Sequence, residues 1–401
     1  MTTFSRSVLA LLTSVAAAAL SAQRPLSRRD AIAGGLARSP VAALLSADTA
    51  RAAAEVRGAG VRFLPNLQAS FTESSPQYHI IGELPLDGPL LRGRRLTVAR
   101  ALQRSVRSQF AYDRAALTFD IDTAYTRALA AAARAGLSSR TAIDADSLWH
   151  IAEARRDAGD ASELDVQLAI ISAGQQANAA AVDSLDAVRA LLDVQTLIGE
   201  RADSIEVMLV DSLSVPSDGG ASATVATPLR VAAAQSLVSA ADAQVALERR
   251  QRFGVPSLTA GFEKGDPTGA QTQTLPTVGV ALPIPYPGRN RAQVEIAEVE
   301  RARANAALRL TSLESQRQIA RASRERMAAA LRVARGRRLL ATAERVAAMA
   351  MTAYREGAVP LPGVIEARRN ARDVQLQYIT DLAALWTAIA AQRLVTEVER
   401  P

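Results

Sequence analysis

Pro65-Asn66-Leu67-Gln68-Ala69-Ser70-Phe71 and Pro256-Ser257-Leu258-Thr259-Ala260-Gly261-Phe262 are two versions of one segment. Four of the seven positions are identical, all on one parity of an alternating pattern, and the copies stand 191 residues apart. Further anchors follow in the same order. Leu84-Pro85-Leu86 answers to Leu282-Pro283-Ile284, Gly93-Arg94 to Gly288-Arg289, and Gly159 to Gly357. Upstream, Arg38-Ser39-Pro40 and Ala226-Thr227-Pro228 each open an alanine-rich stretch. Ordered anchors at a near-constant offset mark a duplication, and a duplication decides the fold plan before any single element is assigned.

Each copy has the same internal order: an alanine-rich helix (41–56 or 229–250), two short alternating segments, a very long helical stretch, a turn, and a helical return. The repeats span 23–214 and 228–401. Between them, 215–227 is rich in Ser, Gly, Thr and Pro without hydrophobic periodicity, which reads as a linker. Strands are expected at about 63–73, 78–86, 255–264 and 275–284. Leu67, Phe71, Leu258 and Phe262 lie on one face, and Gln68, Ser70 and Thr259 lie on the other. That length and alternation suit strands that cross a bilayer at a tilt, with the apolar residues toward lipid. A soluble hairpin with one wet face has the same pattern. Four strands cannot close around a lumen, so a membrane role requires several chains, and three would supply twelve.

The helical stretches run from Gly93 toward Gly159 and from Gly288 toward Gly357. At about 1.5 Å per residue each reaches on the order of 100 Å if continuous. Gly136-Leu137-Ser138-Ser139 is expected to bend the first. Seam spacing at Tyr378, Leu382, Leu385 and Ile389, and at Leu185, Val188 and Leu192, predicts antiparallel coiled-coil packing of the return helices. The fold class expected is mostly α with a small β part.

Composition agrees. Aromatics are only 4% of a chain that is 49% hydrophobic, and alanine favours long, closely packed helices. The net charge of +7 is carried almost wholly by arginines interleaved with alanine and acids. They read as solvated helix faces rather than a nucleic-acid footprint. With no cysteine there are no disulfides, no thiolate metal sites and no acylated N-terminal Cys, so the chain is not expected to be a lipoprotein. His79 and His150 stand apart without metal-ligand spacing, and no nucleophile–base pair appears. No catalytic, metal or cofactor site is expected, and the protein is not expected to be an enzyme. At the N-terminus, Arg6, the apolar run from Val8 to Leu20, and small residues up to Ala22 read as a cleavable export signal over residues 1–22.

On these motifs the chain resembles the TolC-like outer-membrane efflux protein family, nearest its heavy-metal-exporter, CzcC-like branch. The residues that carry the resemblance are the duplicated plan, Arg38-Ser39-Pro40, the Pro-x-Leu openings at Pro65 and Pro256, and Leu282-Pro283-Ile284-Pro285 before Gly288-Arg289-Asn290-Arg291. To these are added the turns from Gly159 to Val166 and from Tyr354-Arg355-Glu356-Gly357 to Val364. The resemblance implies a homotrimer with a 12-stranded β-barrel in outer-membrane lipid, continued by a periplasmic α-helical barrel. It implies a passive exit duct of a tripartite efflux pump, docked by a periplasmic adaptor and served by an inner-membrane transporter of the RND type. The docking tip would comprise Gly159, Val166, Gly357 and Val364, and the pore constriction Asp165, Glu366 and Tyr354. Gly363 stands where the family commonly has an acid, and Glu366 is the nearest replacement. The rival reading is a periplasmic adaptor or structural coiled-coil protein, which would need β-rich domains around a single helical hairpin.

Overall fold

The computed structural model describes residues 24–61, 66–86, 91–200, 207–216, 227–266, 268–269, 273–284 and 288–398. The export signal at 1–22, Pro65, most of the 215–227 linker and Pro285 lie outside the described residues.

The first repeat runs β1 (Arg24–Leu26), α1 (Arg28–Arg38), α2 (Pro40–Ala59), β2 (Asn66–Phe71), β3 (Tyr78–Pro85), α3 (Gly93–Asp157), α4 (Glu163–Leu197) and β4 (Val207–Leu209). The second runs α5 (Leu229–Gln251), β5 (Ser257–Lys264), β6 (Leu275–Ala281), α6 (Arg291–Arg355) and α7 (Leu361–Thr396). The duplicated order is therefore present, with α3 and α6 both unbroken over 65 residues. The helix is not interrupted at Gly136. Leu137 and Ser138 are buried there, and the Ser138 hydroxyl donates to Asp183 on α4, so tertiary packing outweighs the glycine's weak helix propensity.

The chain packs as two compact units, each built from both repeats: Met1–Ala43, Arg114–Thr224 and Gln318–Thr396 form one, and Leu44–Asp113, Val225–Arg317 and Glu397–Pro401 the other. The second unit holds the four-stranded antiparallel sheet, in the order β2-β3-β5-β6. Each repeat gives one hairpin, and β3 joins β5 over the full register from Tyr78↔Lys264 to Pro85↔Ser257. β2 and β6 are each paired on one side only.

The first unit holds three apolar clusters. Ile121, Tyr125 and Leu129 of α3 pack with Val194 of α4 and with Leu26 and Val207 of a small parallel sheet, β1–β4. Gly35 of α1 gives a close approach at this contact: a Cβ there would come within 2.3 Å of Ile121 Cδ1, and the Ile121 side chain would have to shift. Further along, Ala329 and Val333 of α6 pack on Leu382 and Leu385 of α7, with Tyr378 and Ile389 against them, as the seam spacing predicts. The companion seam is different: Leu185, Val188 and Leu192 of α4 are exposed in the single chain. The third cluster lies at the helical turns.

Candidate functional site: the two-faced sheet and the helical turns

Residues directly opposite one another in an antiparallel ladder share a face. Leu67, Gly82, Ala260 and Val278 form one row across the four strands, and Ala69, Ile80, Phe262 and Pro276 form the next. At the turn end, the Phe71 and Tyr78 rings meet tilted at 56°, 5.2 Å between centroids, beside Lys264. Towards the other end, Leu84, Leu258 and Val280 continue the same face. It is apolar from the Leu84 row to the Ala69 row, Lys264 joining it only at the turn end, and Leu67, Phe71, Leu258 and Phe262 are all exposed on it. The opposite face carries Gln68, Ser70, His79, Glu83, Thr259, Glu263 and Thr277. There His79 Nδ1 lies 3.4 Å from Glu263 Oε1, so part of the polar face is cross-linked by its own side chains. An apolar patch spanning four strands costs free energy in water and is stable against another apolar phase.

At the helical turns, Gly159 and Gly357 have φ of +82° and +79°, the left-handed conformation in which glycine has no Cβ penalty. Both turns close as Schellman motifs. Asp160 N donates to Arg155 O at 2.8 Å and Gly159 N to Arg156 O at 2.9 Å, while Ala358 N donates to Ala353 O at 2.8 Å and Gly357 N to Tyr354 O at 3.0 Å. Nothing lies within 4 Å of a Cβ built on Gly159, so its backbone is open to a partner.

Beneath the turns, Leu148 and Ala152 (α3), Val166 and Ala169 (α4), Met351 and Tyr354 (α6) and Leu361 and Val364 (α7) form one cluster. Val166 and Val364 are 1% and 0% exposed, so they hold the turns in shape from below rather than presenting a surface. Periodicity around the turns did not indicate this. The heptad position of Val166 beside Leu148 of another helix is visible only in three dimensions.

Asp165 has a local task. It completes a capping box, its Oδ2 accepting from Ser162 N at 3.1 Å while Ser162 Oγ accepts from Asp165 N at 3.2 Å. Glu366 is exposed on α7 and accepts from Asn370 at 3.2 Å. Tyr354 is buried, and its hydroxyl makes no hydrogen bond of ordinary geometry. Burial raises its pKa above the usual phenol value, the neighbouring Arg155 opposing and Asp165 reinforcing the shift. Arg155, which the sequence reading did not single out, links the two turns. Its guanidinium lies 4.7 Å over the Tyr354 ring, donates to the Tyr354 carbonyl, and donates to Asp160 O at 3.3 Å. The Arg155-Arg156 pair at the helix end carries no sequence signal of which arginine would reach the other turn.

The fold is that of solved outer-membrane channels. The chain aligns with CusC, studied for transmembrane channel formation, at a TM-score of 0.76 and 17% identity, covering 93% of this chain and 92% of CusC. It aligns with the Campylobacter jejuni CmeC outer membrane channel at a TM-score of 0.75 and 14% identity, covering 92% and 85%. The Vibrio cholerae outer membrane protein VceC gives 0.74 and 17%, covering 92% and 95%. At these identities the likeness is one of fold. No family model matches the sequence, and no curated protein matches it.

Proposed function

We propose that the protein is an outer-membrane exit duct of a tripartite efflux pump, assembled from three copies and conducting passively. The observation that carries this reading is the two-faced sheet with both edges unpaired. An open sheet edge is not tolerated in lipid, because each unpaired backbone group there costs several kcal/mol. Three such sheets joined β6 to β2 close a 12-stranded barrel with the Leu67–Val278 face toward lipid and the Gln68–Glu263 face toward a wet lumen. The strands are short, six to eight residues, and the bacterial outer membrane is thinner than average. The likeness to outer-membrane channels supports the same reading.

The helical turns would then be the docking tip for a periplasmic adaptor. Gly159 offers open backbone, Gly357 lies beside the Arg155 side chain, Val166 and Val364 fix the shape beneath, and Asp165 and Glu366 would line the constriction with Tyr354 buried behind them. The expelling step belongs to an inner-membrane transporter, of the RND type, so the duct needs no cofactor and performs no chemistry. Nearness to the heavy-metal-exporter branch and export through the 1–22 signal are parts of the same reading. The test is reconstitution into planar bilayers. Folded protein should give discrete conductance steps, with a larger single-channel conductance and weaker divalent-cation block when Asp165→Ala and Glu366→Ala are combined. Lipid-inserted protein that never conducts would overturn the reading.

A further inference from the structure

Between two apolar clusters of the first unit, the four long helices turn polar residues toward one another. On one side lies the cluster at the turns, with Leu148, Met351 and Val364, and on the other the Ala329–Leu385 seam of α6 and α7. Along α7, Ile365, Arg368, Arg372 and Gln375 follow at steps of three and four, so they share one helix face. Glu344, Ala348, Met351 and Arg355 do the same on α6, and Leu168, Ser172 and Gln175 on α4. With Thr141, Asp144 and Leu148 of α3, these faces line a cavity of about 950 Å³. Such steps carry an apolar stripe where helices close on a core. Here they carry arginine, glutamine, serine and threonine among the apolar residues.

The cavity has a surplus of positive charge. Arg355, Arg368, Arg369 and Arg372 line it against two acids, Asp144 and Glu344. Gln375 Nε2 donates to Glu344 Oε1 at 3.0 Å, and Arg368 donates to the main-chain oxygen of Asp144 at 2.8 Å. Among the described residues, none of the four arginines has a carboxylate within ion-pair distance. Burial lowers the Arg368 pKa from its usual value, the Asp144 charge opposing and the Arg355 charge reinforcing the shift. Arg372 Nε is buried without an acceptor. Gln176 Oε1, also in the lining, is buried without a donor, and its amide turned end for end presents NH2 instead. A guanidinium N–H withdrawn from water and left unpaired costs free energy, and an oxyanion is its natural acceptor. Beside these groups the wall is apolar: Leu168 and Ile365 are half-buried, and Ile171 is exposed. An inorganic ion would leave that wall and most of the volume unused, whereas drug-sized ligands occupy about 300–1,000 Å³. We infer that the cavity binds an organic anion, with its carboxylate or sulfonate on Arg368 and Arg372 and its apolar body against Leu168, Ile171 and Ile365. The site is formed within one chain, so it stands or falls separately from the exit-duct reading.

The test is calorimetric titration of the full chain in mild nonionic detergent. The probes are naphthoate, its uncharged counterpart naphthalenemethanol, and inorganic phosphate. We expect saturable binding of naphthoate alone, weakened by added salt and accompanied by a higher melting temperature. Arg368→Gln and Arg372→Met should each weaken it about tenfold or more, the loss of one charge-assisted hydrogen bond. Ser172→Phe keeps every arginine and fills the cavity, so it should block binding even where an arginine variant fails to fold. Circular dichroism checks the folding of all three, and equal detergent in every sample holds partition into micelles constant. Phosphate bound as tightly as naphthoate overturns the organic ligand, and naphthalenemethanol bound as tightly overturns the role of the arginines. Absence of saturable naphthoate binding, or binding that survives all three substitutions, overturns the site.

Discussion

Replacing Val278 by arginine should separate folding in water from insertion in lipid. Val278 is 76% exposed and sits in the middle row of the apolar face, with Leu67, Gly82 and Ala260. It contributes little packing inside one chain, so the substitution should leave helical content and the soluble state unchanged. At the bilayer midplane an arginine on the lipid face costs about 2–4 kcal/mol. Three copies would carry about 6–12 kcal/mol, comparable to the whole stability of a domain. Gln68→Arg, one position along β2 from Leu67 and on the opposite face, should carry no such cost. Phe71→Arg, at the turn end beside Tyr78, should fall between, because the cost drops to about 0–1 kcal/mol near the interface. The assay is the fraction of heat-modifiable oligomer in the outer-membrane fraction, with far-ultraviolet circular dichroism of the uninserted chain as control. We expect near loss for Val278→Arg, partial loss for Phe71→Arg and wild-type levels for Gln68→Arg. Equal assembly of Val278→Arg and Gln68→Arg would refute the assignment of the apolar face to lipid.

Gly159→Ala and Gly357→Ala should each cost about 1 kcal/mol in denaturant titrations, since both hold positive φ. Gly159→Trp and Gly357→Trp should instead leave oligomer and membrane levels normal and abolish efflux; normal export by both would move the docking surface off these turns. Leu385→Ala, in the closed α6–α7 seam, should cost about 2–5 kcal/mol in the unassembled chain. Leu185→Ala should cost almost nothing there and show itself only in oligomer yield. Tyr125→Phe removes a hydroxyl that lies 2.8 Å from Leu26 O and 2.7 Å from Asp211 Oδ2 and gives its single proton to one of these acceptors. It should cost about 1–3 kcal/mol and speed amide exchange in β1, β4 and α1, leaving the sheet unchanged. Ser162→Ala should cost about 1 kcal/mol through the lost cap. It is the control that separates capping from charge when Asp165→Ala changes conductance.

Strong local periodicity made much of this fold legible. The strand cores at Asn66–Phe71 and Ser257–Lys264 follow from strict polar–apolar alternation, and the helix ends from the glycines at 159 and 357. The small β1–β4 sheet and α1 were not legible. Three residues set no period, Gly34-Gly35 weakens the helical signal, and what holds the segment is long-range. Arg28 donates to Asp122 and to Thr126 Oγ1, and lies 4.1 Å over the Trp386 ring. Leu185, Val188 and Leu192 show the opposite limit. Their heptad spacing announces a seam but not whether its partner is in the same chain. The site divided the same way. The turn glycines are readable because φ constrains residue type, whereas Arg155 and the burial of Val166 and Val364 depend on which helices meet.

The account stands most directly on how many chains close the sheet. Mass measurement of the wild-type protein, extracted in mild detergent and kept folded, should give three times the mass of the mature chain, with the apolar face protected from aqueous labelling. A monodisperse folded monomer, with Leu67, Phe262 and Val278 freely accessible in lipid vesicles, would contradict it.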